Sequence, residues 1–383
     1  MNHFAIKAIE KERHFVRKLK EGTFYLTGSG SKNFIKSVTD KAIYVRSKKS
    51  KSPFRISREK LREAIQFMFY KRTATRKELE VFAAYNSALM GLLRLVFSDI
   101  ARISKTARGM LRLSLKGLRY FFSGLERSVA DLEVATEHGA QFLLLSYFSL
   151  RDDKNHNWKY HIRRLGYAGR VLLDSGAFSV RSAELEGREV QPISLEEYAA
   201  FILRHRDVLF GWMNLDVIDD PQATRENFKA LQVRGLTPIP VWSCCDDGWE
   251  ELEYIVHEID PPVVAIGATV FMSEEKRKMM FDKLFDLYPS VPFHWLGGSS
   301  QLLYQYPFFS SDSTSWINGR RYCTLITPQG HLDAPPEWVE EECLAFNAKH
   351  LSSLEDNYDE DYQVNLMDLL VPPELMYKQI PLF

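Results

Sequence analysis

Beyond residue 135 short apolar runs alternate with longer stretches of helical periodicity. The runs are Phe142–Tyr147, Val171–Ser175, Phe210–Asp216, Thr237–Trp242, Val263–Gly267, Phe293–Leu296 and Phe308–Asp312, and most begin 25 to 40 residues apart, the length of a strand plus a helix. Segments such as Leu195–His205, Arg225–Arg234 and Glu250–Ile259 space their apolar residues as one helix face does. Strands that each lead into a helix predict a parallel sheet, because parallel neighbours need a crossover. Seven or eight such units in about 200 residues favour an α/β fold of (β/α)8 TIM-like barrel type over a doubly wound sheet, which more often opens on a Gly-rich turn.

The first 130 residues follow another pattern. Thr23–Leu26 and Ala42–Val45 read as short strands flanking Gly28-Ser29-Gly30, a turn that lacks the third glycine of a nucleotide fingerprint. A helix is predicted from Ser57, with Leu61, Ile65 and Met68 on one face. Thr75 and Glu78 form a capping box ahead of a second helix, whose buried stripe is Leu79, Phe82, Ala83, Leu89 and Leu93. Two such helices are compatible with a helix-turn-helix and with any small α+β domain. Arg102, Lys105, Arg108, Arg112, Lys116 and Arg119 recur at steps of three and four, so a helix over 100–130 aligns them along one side, where they track phosphates. The N-terminal extension is therefore expected to be basic and mainly helical.

Charge sharpens the division. The net charge is zero, yet residues 1–130 hold 29 Lys and Arg against 10 Asp and Glu, and residues 131–383 hold 21 against 40. A basic segment of that size is the footprint of a polyanion binder, nucleic acid first; attraction to the acidic half or to a partner protein is the alternative. Three parts are expected: a basic nucleic-acid-binding region 1–130, a barrel 131–345, and an acidic tail 346–383 around Glu355–Asp361. With 45% apolar and 13% aromatic residues the chain can bury a core. No eighteen-residue apolar run and no apolar signal core after Met1 are present, so no membrane partner is expected and a cytoplasmic protein is. Four cysteines are too few and too awkwardly placed for a disulfide framework.

Polar residues stand where the apolar runs stop: Asp174-Ser175-Gly176, Asp216 with Asp219-Asp220-Pro221, Gly267, Gly297-Gly298 and Asp312-Ser313-Thr314. In a barrel all these strand ends open onto the face where active sites form. One such Asp alone can simply cap the next helix. Several carboxylates together suit chemistry at a sugar carbon, one attacking C1′ or stabilising its charge and another moving the leaving group's proton.

These residues carry a resemblance. Asp174-Ser175-Gly176-Ala177-Phe178-Ser179 resembles the Asp-Ser-Gly-Gly-Phe-Gln signature of tRNA-guanine transglycosylases. Asp216 in Leu-Asp-x-x-x-Asp-Asp-Pro, Gly267 in Val-Ala-Ile-Gly, Gly297-Gly298 and Asp312 in Phe-Ser-Ser-Asp-Ser-Thr-Ser-Trp follow in the family's order, over roughly residues 135–325. The resemblance implies a nucleophilic role for Asp312 through a glycosyl-enzyme bond, an acid/base role for Asp174, and a hydrogen bond from Asp216 to the Watson–Crick edge of the exchanged base. It implies base contacts for Ser175, Gly176, Gly267, Gly297 and Gly298. Phe178, Trp242 or Trp295 would stack on the purine, although aromatics at strand ends are more often core.

The chain also departs from the tRNA enzymes. Their zinc motif, Cys-x-Cys-x-x-Cys followed by a distant His, is absent; Cys323, His331, Cys343 and His350 are irregularly spaced, so neither zinc nor another cofactor is expected. The basic segment after the nucleophile shrinks to Asn318-Gly319-Arg320-Arg321, with Arg320 or Arg321 left to clamp a phosphate. With the basic extension, these features are similar to the DpdA-like DNA-guanine transglycosylases of phage and bacterial deazapurine clusters. They imply DNA rather than tRNA as substrate and a free 7-deazaguanine base, such as 7-cyano-7-deazaguanine, as co-substrate, and leave room for partner proteins of that modification pathway. A tRNA-guanine transglycosylase or a base-releasing glycosidase on the same barrel, and a non-catalytic DNA-binding protein, are the alternative expectations.

Overall fold

The structure, a computed structural model, describes residues 3–48, 50–244 and 248–356. The chain folds as two units, and the first gives way to the second between Lys116 and Gly117. In the first unit, helix α1 (His3–Lys18) buries Phe4, Ala8 and Phe15. Four strands, β1 (Phe24–Leu26), β2 (Lys32–Val38), β3 (Ala42–Ser47) and β4 (Phe54–Ser57), form an antiparallel sheet in sequence order. Ser57 then caps helix α2 (Arg58–Lys71) by accepting a hydrogen bond from Lys60 N, and Leu61, Ile65 and Met68 are fully buried, as the helical spacing predicts. Glu12 is buried in this unit and Arg58 Nε donates to it at 2.6 Å, which offsets the cost of taking the carboxylate out of water.

The basic extension is not mainly helical. Thr75 and Glu78 do make their reciprocal contacts, Thr75 N donating to Glu78 Oε2 at 2.8 Å and Glu78 N to Thr75 Oγ1 at 3.3 Å, but these open a 3-10 turn at Glu78–Val81, and helix α3 (Asn86–Val96) starts afresh. The predicted helix over 100–130 is a correction of type: β6 (Ala101–Lys105) and β7 (Leu111–Leu115) are a hairpin that joins β5 (Thr73–Thr75) in a three-stranded sheet. Gly109 at φ +75° makes the turn, and Leu111, Leu113 and Leu115 alternate with Arg112 and Ser114 at a strand's period of two. The six cations therefore share no helix side. Arg102, Arg112 and Arg119 are buried, Lys116 is half-buried, and Lys105 and Arg108 are exposed.

Arg119 belongs to the second unit, in a strand the apolar pattern missed, β8 (Arg119–Phe122). The expected domain boundary at 130 thus falls too late, because the charge count followed Arg119 and Arg127 rather than the start of this strand. The other seven runs all contain or overlap strands: β9 (Phe142–Ser146), β10 (Val171–Asp174), β11 (Leu209–Trp212), β12 (Val241–Ser243), β13 (Val264–Gly267), β14 (Phe293–Trp295) and β15 (Ser310–Ser313). They form one eight-stranded parallel sheet in the order β11-β10-β9-β8-β15-β14-β13-β12, with helices such as Leu195–His205, Pro221–Val233 and Glu274–Leu287 between strands. The sheet curls until its edges meet: Ile239 N donates to Trp212 O and Asn214 N to Ile239 O, both at 2.8 Å, in a parallel bridge between Met213 and Ile239. This α/β arrangement is compatible with a TIM-like fold.

Register fixes which side chains line the inner face. Asp312 pairs with Phe121, Phe121 with Phe142, and Asp174 with Ser146, two pleats beyond Phe142 on the same strand. Residues paired across a ladder and residues two apart along a strand share a face, so Asp174 and Asp312 share theirs. The rings of Phe121, Phe142, Phe210 and His294 contact one another below them at centroid distances of 5.2 to 6.0 Å. Arg119, one step further down, stacks on Phe142 and pairs with Glu355 at 2.7 Å. Glu355 follows the helix Glu340–Ser353, so the expected tail from 346 begins inside the second unit; residues 357–383 lie outside the described residues. Among the described residues no helix is long and apolar enough to cross a membrane.

Candidate active site

Asp174 ends β10 and Asp312 sits in β15, at the same end of the curled sheet. Gly176 turns the chain away from Asp174 with φ +88°, and a Cβ there would overlap Phe148 Cβ, so only glycine fits. That turn lets Gly176 N donate to Asp174 Oδ2 at 2.8 Å, while Ser175 Oγ donates to Asp216 Oδ1 at 3.0 Å. Burial, reinforced by the charges of Asp216 and then Asp312, pushes the Asp174 carboxyl up to about 8. Burial also raises Asp216, against the opposing hydrogen bond from Ser175. The three carboxylates named from the sequence therefore form one electrostatic group.

Asp312 is held differently. Ser123 Oγ donates to its Oδ2 at 2.7 Å, and Gly297 N donates to its Oδ1 at 3.3 Å. His294 Nε2 also lies 3.3 Å from Oδ1, and its Nδ1 lies 2.8 Å from Ser310 Oγ. If Nε2 carries the imidazole proton, three donors converge on the two carboxylate oxygens, an arrangement suited to an anion that must point one lone pair outward. Ser123 and His294 were not singled out in the sequence. His294 stands between Phe293 and Trp295, in a run that reads as plain core, and only the period of two turns it inward. Glu126 was also missed; it accepts from Ser146 N at 2.7 Å and burial raises its carboxyl.

The remaining candidates divide. Gly298 packs against Trp295, where a Cβ would run into the ring, so its role is to let two pieces of the fold touch. The carbonyl of Gly267 accepts from Cys244 Sγ at 2.8 Å. Trp295 is core, with its ring on Phe308 and its Nε1–H bonded to Thr269 Oγ1, and it cannot stack on a purine. Trp242 is 1% exposed and donates to Gly248 O; it walls a neighbouring cavity, not the carboxylate cluster. That cavity, about 640 Å³, lies beyond the ends of β11, β12 and β13 and is lined by residues including Trp249, Phe271, Lys276 and Lys283. It includes none of the three aspartates, and the raised carboxyls of Asp174 and Asp216, not this cavity, mark where proton chemistry is possible. Phe178 is 48% exposed and faces Phe271 at 5.7 Å, a ring that nothing in the sequence marks.

Arg320 pairs with Asp131 at 2.8 Å, whereas Arg321 is exposed. Among the described residues no group of three His, Cys, Asp or Glu side chains is placed to hold a metal ion.

No protein-family model matches the chain, and no curated protein matches it. A solved structure described as a structural study from Aquifex aeolicus VF5 is similar over 63% of this chain and 93% of its own, at 11% identity and a TM-score of 0.39. A likeness of that degree bears on neither fold nor function.

Proposed function

We propose that the chain is a DNA-guanine transglycosylase built on a (β/α)8 barrel, exchanging guanine in DNA for a 7-deazaguanine such as 7-cyano-7-deazaguanine. One observation carries the reading: Asp174, raised to about 8 and so protonated at neutral pH, shares an inward face with Asp312, on which Ser123, Gly297 and His294 converge. An acid beside a positioned carboxylate is what displacement at an anomeric carbon needs. A guanosine swings out of the stack to reach them. Asp312 attacks C1′ as the glycosidic bond breaks, and Asp174 gives its proton to the departing guanine. The incoming deazapurine returns a proton to Asp174 and attacks C1′, which releases Asp312. Asp216, steadied by Ser175, takes hydrogen bonds from the base edge, and Phe178 with Phe271 covers a ring face. The basic residues of the first unit meet the DNA.

Double-stranded DNA incubated with labelled 7-cyano-7-deazaguanine should take up label and release guanine in equal amounts. Asp312→Asn should slow exchange by about a thousandfold or more while DNA affinity stays within about twofold. Abasic DNA without incorporation would mean a hydrolase, and undiminished exchange by Asp312→Asn would end the proposal.

A further inference from the structure

We infer that the outer face of the sheet β1–β4 is a platform for a single-stranded segment of DNA, with Phe24, Phe34 and Tyr44 stacking on bases and Lys32, Arg46 and Arg55 meeting phosphates. The register builds the face. Phe24 pairs with Phe34 and Phe34 with Arg46, so three strands contribute one row; Tyr44 pairs with Arg55 in the next, and Leu26 with Lys32 at the other side. Paired residues share a face. The opposite face is the core, where Tyr25, Ile35, Ile43, Val45 and Ile56 are buried. The outward rings are only half-buried, and Lys32, Arg46 and Arg55 are exposed.

Lys32 Nζ lies 4.9 Å over the Phe24 ring, and the Phe24 and Phe34 centroids are 6.4 Å apart, so cations and rings interleave. Arg46 and Arg55 have no ion-pair partner among the described residues, and none of the four strands contains Asp or Glu. Residues 1–116 hold 27 Lys and Arg against 9 Asp and Glu, which calls for a polyanion. Flat rings set among the cations call for one that also bares its bases: a duplex hides its ring faces in the stack, and an unpaired strand does not. The inference deepens the proposed function by assigning where DNA is held, and it rests on that reading only for the choice of DNA.

Fluorescence anisotropy of the full chain with labelled dT12 and with a duplex of equal length tests it. The wild type should bind dT12 more tightly than the duplex. Phe24→Ala with Phe34→Ala should weaken dT12 binding about tenfold or more and duplex binding less than about twofold. Phe24→Leu with Phe34→Leu, which keeps apolar volume but removes the rings, should do the same if the alanine pair melts early. Arg46→Gln with Arg55→Gln should flatten the salt dependence of dT12 binding by about one to one and a half in log–log slope. Unchanged dT12 affinity in folded ring variants, or equal losses on dT12 and duplex, would overturn the platform. Label exchange measured on the same preparations separates the two proposals: exchange without a ring effect removes the platform alone, and a ring effect without exchange removes the transglycosylase alone.

Discussion

Asp174 is a carboxylic acid whose surroundings favour its proton, and that has two measurable consequences. In the unfolded chain it ionises near the ordinary value of 3.8, and in the folded protein only as pH passes about 8. The folded state thus binds the extra proton between those values, so stability is lost as pH rises through that window. Melting temperature should fall from pH 5 to pH 9, and Asp174→Asn should flatten the decline, gaining about 1–3 kcal/mol over the wild type at pH 9 in urea titrations. The rate of guanine release should fall above pH 8, where the acid is spent. His294 is the second residue to test. His294→Ala takes a partner from Asp312 Oδ1 and leaves Ser310 Oγ facing a void. Exchange should show kcat lowered about 10- to 100-fold with KM little changed, and His294→Gln should recover part of it, as expected when aim rather than binding is lost.

At the level of elements, the turn after β10 shows why the aspartates stand where they do. Gly176→Ala must force a side chain into Phe148 and Ser146 at a φ that disfavours it, and should cost about 2–4 kcal/mol in equilibrium unfolding. Seven of the eight inner strands were legible, because strands buried on both sides are written as plain apolar runs. β8 was not: its Arg119-Tyr120 opening looked like more of the basic stripe, and the burial of Arg119 depends on Glu355, 236 residues away. The hairpin β6–β7 was misread because its charges also fit steps of three and four; Gly109 and the alternating leucines were the better signal. The carboxylates were legible as polar endings of apolar runs, whereas Ser123 and His294 gain their meaning only from register with β15.

Across the whole molecule the division of charge follows the division into two units, one basic and rich in antiparallel pairing, the other acidic and wound from parallel strands. On the proposed function an acidic cleft repels the phosphates of DNA, and the excess of cations in the first unit attracts them. The joined edges of the curled sheet carry a consequence of another kind. Neighbouring strands elsewhere share two or more registered pairs, whereas β11 and the approach to β12 are held by the single bridge at Met213 and Ile239. A hoop with one weak weld opens there first, and this weld lies three residues before Asp216. Deuterium should enter the amides of Asn214 and Ile239 sooner than those of β9 and β10, and occupancy by a purine should slow its entry.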